Sequence, residues 1–353
     1  MNRLFTALCC ILCSTVAFAQ YEIDGVRLQP PAQDGIWVRP ADGVPAQAIW
    51  GFADGIRVGI NPPGRPRGLL DIFCPYLGDG ERSIINYIAM EPIVAGTRNR
   101  GLSELEKSSI DGGQGKVFIS SDVPQRPSQW DKLHPARGTV TVEDGKQTLT
   151  VWIYCERFDN GADVYVRLRF IEDNPYQFEL QAFAGTESAP LESFILTATM
   201  GNKMRLRKLY TANEVKLSTE IWPDYKDKWF SPYDRTPLQG MIRDRKGGAW
   251  AFSEPSETQQ DYINAQYEDG TSNGWKYKGK TATQYWYAPV PHPELQTVVN
   301  GRYTYWAIFK KLPGGIAFEN FELVEPFRQG TIYYFGVSPE KPGKLIKQIN
   351  KIK

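Results

Sequence analysis

Arg98, Arg100, Glu104 and Glu106 fall within nine residues and mix two cations with a carboxylate pair. On an extended chain Glu104 and Glu106 share one side with Leu105 opposite, a spacing suited to proton transfer or to holding hydroxyl groups. An ion-pair network on a surface loop produces the same pattern, so both readings stand. A second group, Lys203, Arg205 and Arg207, recurs at every other residue. A strand there would turn all three cations to one face and send Met204 and Leu206 into the core. Arginine forks match carboxylate or sulfate in a bidentate way. If that face lines a cleft, it predicts an anionic ligand; if it does not, it is a solvated outer face.

Aromatic residues gather at Tyr285-Trp286-Tyr287, at Tyr303 with Tyr305-Trp306, and at Trp229-Phe230. Flat rings with polar tips suit a sugar cleft, the ring stacking under the sugar while a phenol oxygen reaches a hydroxyl. Strand alternation sends about half of each cluster inward. Tyr285, Trp286, Tyr303 and Tyr305 are therefore candidates for ligand contact, with Tyr285 also a proton-transfer group. The chain has two histidines, His134 in a loop before Pro135 and His292 between Pro291 and Pro293. His134 is the better candidate base.

Two histidines cannot build a multi-histidine metal centre. The sequence has no Gly-x-Ser-x-Gly elbow, no His-Glu-x-x-His and no dinucleotide fingerprint, and Gly112-Gly113-Gln114-Gly115-Lys116 lacks the residues that complete a phosphate loop. Esterase, protease, nucleotide-hydrolase and oxidoreductase readings lose their usual support. Loop acids Asp159 and Asp163 would admit calcium without EF-hand spacing, and a plain turn explains them as well; no other cofactor is expected. Lysine plus arginine number 41 against 40 acids. That balance carries no electrostatic footprint for nucleic acid or an anionic membrane.

Residues 1–19 run from a charged start through an apolar stretch to Ala17-Phe18-Ala19, the pattern of a secretory signal peptide. Cleavage before Gln20 would leave an exported chain, periplasmic or secreted, with equal numbers of bases and acids once Arg3 is gone. Three cysteines lie in that leader, leaving Cys74 and Cys155 as a disulfide or as two buried thiols. No other segment is long and apolar enough to span a bilayer.

The remaining chain is written in short alternating runs punctuated by Gly, Pro, Asn and Asp, which predicts antiparallel sheet. Hairpins are expected where 138–142 meets 147–155 through Asp144-Gly145, and where 147–155 meets 163–171 through Asn160-Gly161. Strands continue over 176–184, 193–200, 204–210, 249–252, 283–287, 296–299, 303–309 and 330–337. Residues 102–107 read as a helical turn or short strand, and 222–244 and 254–280 as long loops. Loops of that length usually cover or build a site. The class predicted is all-β: one large antiparallel sandwich over 20–340 with few short helices, then a short basic tail over 341–353, frayed or helical.

Three stretches carry a likeness: Met90-Glu91-Pro92-Ile93-Val94 with Arg100-Gly101-Leu102-Ser103-Glu104-Leu105-Glu106; the hairpins of 151–184; and the closing run 314–323, which contains Glu319 and Glu322. Together they resemble the galactose-mutarotase-like β-supersandwich of sugar epimerases, polysaccharide lyases and glycoside hydrolases. The resemblance implies a carbohydrate-active protein. Neither His134 nor His292 stands in the strand setting of that family's histidine pair, so epimerase chemistry is not expected. With the basic stripe facing a cleft, the expected substrate is an acidic, uronate-containing poly- or oligosaccharide. The expected chemistry is β-elimination by a lyase or dehydratase, the cations acidifying the proton beside the carboxylate. A hydrolase using two of Glu104, Glu106 and Glu319, and a glycan-binding protein without catalysis, are the alternatives.

Overall fold

Strand Val164–Ile171 alternates fully buried and half-buried residues from end to end, and the same period runs through most of the chain. The computed structural model describes residues 21–62, 66–79, 83–199, 204–258, 260–261, 279–306 and 309–350. Strand accounts for 45% and helix for 7%, which makes the protein all-β, as the alternation predicts.

Among the described residues two large antiparallel sheets form. The first has eleven strands, ordered Thr139–Glu143, Lys146–Cys155, Val164–Ile171, Gln177–Ala184, Thr331–Ser338, Thr283–Ala288, Ala249–Pro255, Leu206–Tyr210 and Val215–Leu217, with Phe118–Ser121 and Ile242–Arg243 added at the side. The second has ten, ordered Asp234–Pro237, Gln296–Arg302, Ala317–Val324, Leu191–Thr199, Ile84–Val94, Leu69–Phe73, Arg57–Ile60, Ile49–Phe52, Trp37–Arg39 and Ala32–Asp34. One apolar core fills the space between them, with Leu70, Ile88, Met90, Leu196 and Phe321 on one side and Val151, Val166, Leu180 and Phe335 on the other.

Polar links between the sheets cross that core, two of them from side chains of strand Thr283–Ala288. The Trp286 indole N–H donates to the Phe321 carbonyl at 2.8 Å, and Asn86 Nδ2 donates to Gln284 Oε1 at 2.6 Å. Both satisfy groups that would be costly to bury alone. The predicted hairpin at Asp144-Gly145 forms, with φ of 51° and 77°, the left-handed angles such a turn needs.

Several expectations change. Residues 303–306 do not continue the strand: Tyr305 N–H donates to Lys310 O and Leu312 N–H to Tyr303 O. The stretch 222–244 is not loop throughout, because Asp234–Pro237 pairs with Gln296–Val299 at the sheet edge. In the tail, Pro342–Ile349 is a helix. Pro342 suits its first turn, and Leu345, Ile346 and Ile349 pack on Tyr210, Trp250, Phe252 and Tyr285 across the outer face of the eleven-stranded sheet. Most of 254–280, the leader and Lys203 lie outside the described residues.

Cys74 and Cys155 are buried free thiols, and burial pushes both thiol pKa values up, so neither is a reactive nucleophile. No helix among the described residues is long and apolar enough to cross a membrane.

Candidate active site

Alternation along Ile84–Val94 sends Met90 and Val94 into the core and turns Glu91 to the opposite side of the ten-stranded sheet. The chain then reverses through Gly96, φ 76°, and runs back over that strand. Arg100 bridges Ile93, Gly101 N–H donates to Pro92 O at 2.9 Å, and Met90 N–H donates to Ser103 Oγ at 2.9 Å. This return path requires glycine at 101, where a Cβ would lie 2.6 Å from the Phe158 ring. Sequence neighbours are thus folded into spatial neighbours, and the Arg100 side chain is laid over Glu91.

The Arg100 guanidinium joins three strands. Its Nε pairs with Glu91, its Nη2 lies 2.6 Å from Glu322 Oε2, and Nη2 also donates to Thr197 Oγ1 at 2.9 Å. Thr197 Oγ1 in turn donates to Glu322 Oε2 at 2.8 Å. Register accounts for the convergence: Thr197 pairs with Glu322, and Ile195, two residues earlier, pairs with Glu91. Glu91 and Glu322 are 3% and 1% exposed. Glu104 approaches from the loop, and its Oε2 is sealed without a hydrogen-bond partner among the described residues.

One guanidinium cannot balance two buried carboxylates and a third that is half-buried. Burial raises the Glu91 pKa; Arg100 opposes the shift, while the Glu104 and Glu322 charges add to it. Burial raises Glu104 as well, against its own backbone hydrogen bond and Arg100. Burial disfavours the Arg100 charge, yet Glu91 and Glu322 more than offset that and raise its pKa. The cluster therefore holds a proton to higher pH than ordinary glutamates do. A protonated carboxyl beside an ionised one, on a shared guanidinium, is an acid and a base in one place. Tyr233 lies within electrostatic range of Arg100, Glu322 and Glu91, and remains 45% exposed.

Beside Tyr233, at the edge of the same sheet, two loops present Trp229, Phe230, Trp306 and Phe309, all exposed. Trp229 and Phe309 meet edge to face at 5.9 Å. Beneath them the Arg302 guanidinium lies 5.0 Å from the Phe230 ring and 5.2 Å from that of Trp306. Arg302 is fully buried; it donates to Lys228 O at 3.0 Å and to Thr304 O at 3.3 Å.

Of the residues singled out by spacing, Arg100 and Glu104 belong to this cluster. Glu106 diverges from Glu104: it accepts from Asp159 N–H at 2.9 Å and pairs with buried Lys116 at 3.2 Å, so it anchors the loop. Arg98 is exposed on the turn. The basic stripe is corrected. Arg205 and Arg207 are 2% and 3% exposed, both pair with Glu257, and Arg207 also donates to the carbonyls of Ile316, Pro313 and Gly315. These arginines staple a loop to the sheet.

Tyr285 and Trp286 are corrected as well. Trp286 is core, and Tyr285 faces the terminal helix on the far side of the other sheet, donating to Gln177 Oε1 at 2.9 Å. Tyr303 is half-buried, and Tyr305 packs on Leu312 and Ala317 within electrostatic range of Tyr87. His134 stands exposed at a cleft elsewhere, 3.0 Å from Asp131. Glu319 is the extra residue of a bulge, raised to about 7 by burial, with Arg302 opposing. The turn acids carry no calcium-like grouping: Asp159 pairs with Lys116 and Asp163 with Arg126. Among the described residues no group of three or more His, Cys, Asp or Glu side chains has the arrangement of a metal site.

Glu322, Thr197 and Tyr233 were not singled out as site residues from sequence. The usable signal was Glu322 itself, polar at a position that alternates with core residues Phe321 and Leu323. Comparison with protein-family models, curated proteins and solved structures finds no match.

Proposed function

We propose that this is a carbohydrate-active enzyme that cleaves a glycosidic bond by acid and base catalysis from the Glu91, Glu104 and Glu322 cluster. The observation that carries the reading is the excess of carboxylates about Arg100, with Tyr233 in electrostatic range of it and the exposed Trp229 and Phe230, which meet Phe309 and Arg302, a few residues before Tyr233 in the chain. Rings exposed in a group suit stacking on sugar. A carboxyl that keeps its proton donates it to the leaving oxygen, and its ionised neighbour serves as base or nucleophile. Arg100 and Thr197 hold Glu322 in place, and Tyr233 lies within electrostatic range of the group.

Hydrolysis is favoured over elimination. Elimination needs cations left over to meet a uronate carboxylate, whereas Arg205 and Arg207 are occupied by Glu257 and backbone carbonyls, and Arg100 by two glutamates. Export, expected from the leader, fits a substrate outside the cell. The near-complete burial of Glu91 and Glu322 favours one second reading, in which the cluster is structural and the rim only binds glycan.

The test is incubation with a panel of neutral and uronate-containing polysaccharides, measuring new reducing ends and the ultraviolet absorbance of unsaturated uronate. Reducing ends without that absorbance, lost in Glu322→Gln, are expected. Absorbance rising in step with cleavage would establish elimination instead, and retention of glycan without cleavage would establish binding alone.

A further inference from the structure

Charge around the aromatic rim is unequal. Residues 224–230 and 302–311 carry five cations, Lys226, Lys228, Arg302, Lys310 and Lys311, against two acids, Asp224 and Asp227. Over the whole chain 41 bases face 40 acids, so the surplus is local. Backbone contacts bring the two segments together: Phe230 bridges Arg302, and Thr304 bridges Lys311 while its Oγ1 donates to Lys228 O at 3.3 Å. All four lysines are exposed. Lys226, Lys228 and Lys310 enter no ion pair among the described residues. The Lys228 ammonium lies instead 5.5 Å from the Trp229 ring and 5.6 Å from that of Phe309.

Arg302 supports the rings from beneath. Its guanidinium lies 5.0, 5.2 and 6.0 Å from Phe230, Trp306 and Phe309, and its Nη1 has no hydrogen-bond partner among the described residues. A buried cation without a paired carboxylate adds to the positive field of the surface above it. Rings and cations on one exposed patch then define a ligand. The rings offer flat apolar faces to a sugar, and the lysine stems carry their charges past the rings to acidic substituents. The charges that act most on Glu91, Glu104 and Arg100 include none of these lysines. An acidic group held at the rim therefore stands apart from a bond broken at the cluster, in keeping with hydrolysis rather than elimination.

We propose that the rim is a binding site for an anionic glycan, with its sugar rings on Trp229 and the neighbouring aromatic side chains and its carboxylate or sulfate groups on Lys226, Lys228 and Lys310. The proposal rests on the glycan reading above and adds the charge of the ligand.

The experiment measures binding of the full-length protein, by surface plasmon resonance, to immobilised dextran, polygalacturonate and dextran sulfate, and to phosphatidylglycerol vesicles and oligothymidylate. Binding is expected to polygalacturonate, dextran sulfate or both, with carboxylate and sulfate told apart by which is held, and it should weaken as salt is raised. Dextran should be held far more weakly. Lys228→Gln combined with Lys310→Gln should lower affinity about tenfold and Trp229→Ala about fivefold. Melting temperatures should stay near wild type, because all three side chains are exposed. Loss with the lysines but none with Trp229→Ala would mean attraction of charge alone and overturn the site. Equal binding to dextran overturns the charge assignment and leaves the glycan reading intact. Tighter binding to the vesicles or to oligothymidylate than to either acidic polysaccharide overturns the occupant, and binding to no surface overturns the site. Binding that needs both the lysines and Trp229, with no polysaccharide of the panel cleaved, sustains the rim and overturns the catalytic reading.

Discussion

Arg207 and Arg100 are both arginines drawn into the protein, and their surroundings differ in sign. Arg207 shares one carboxylate, Glu257, with Arg205 and directs its remaining donors to the carbonyls of Ile316, Pro313 and Gly315. Fixed backbone dipoles satisfy that group, and nothing in it gains from moving a proton. Arg100 meets Glu91 and Glu322 directly, with Glu104 close by. The backbone hydrogen bond at Glu104 and the Arg100 charge offset only part of the cost of burying these carboxylates, and the pKa values of Glu91 and Glu104 rise. A buried charge completed by carbonyls has no proton to exchange, whereas one set among excess carboxylates does, which is what the proposed chemistry uses.

The sharpest way to break this contrast is Glu322→Gln. If the Arg100 group is catalytic, cleavage should fall by about 10²–10⁴-fold with the melting temperature little changed, read from reducing ends and from thermal denaturation. A rate within a few-fold of wild type would make the two groups alike. The next effect belongs to the other arginine: Arg207→Ala deprives half-buried Glu257 of its nearest cation and the carbonyls of Ile316, Pro313 and Gly315 of their donor, and should cost about 2–3 kcal/mol in urea denaturation. The rate per folded molecule should stay the same.

Glu319 tests the role of burial, with Arg302 opposing it. Its folded pKa of about 7 lies above the ordinary 4.5. Between those values the native state binds the extra proton, so stability falls as pH rises through the window and levels off above 7. Glu319→Gln should remove that contribution, becoming more stable than wild type at pH 8 by on the order of 3 kcal/mol and differing little at pH 4. Equal pH slopes would show that Glu319 is already ionised. The smallest effect expected is at the rim, where Trp229→Ala should weaken glycan affinity about fivefold without altering turnover at saturation.

The hairpins and the all-β class were legible because turn chemistry and period-two alternation are local: Asp144-Gly145 needs only its own backbone angles. Arg100 and Glu104 were legible as a pair for the same reason. Their partner was not, since Glu322 lies 222 residues from Arg100 and only strand register unites them. The basic stripe misled for a physical reason. Arg205 has φ of 50°, and pairing with Ala249–Pro255 slips between Leu206 and Lys208. Alternation therefore fails where the side chains were assigned to a face. The run at 303–309 fails likewise, ending at Phe309 with φ of 49°.

Glutamates labelled with carbon-13 at the side-chain carboxyl, followed by NMR from pH 4 to 9, test the central claim most directly. A glutamate resonance should still titrate near pH 8 and disappear in Glu91→Gln, while persisting in Glu319→Gln. Full ionisation of every glutamate other than Glu319 below pH 6 would contradict it, because the Arg100 group would then hold no proton to donate.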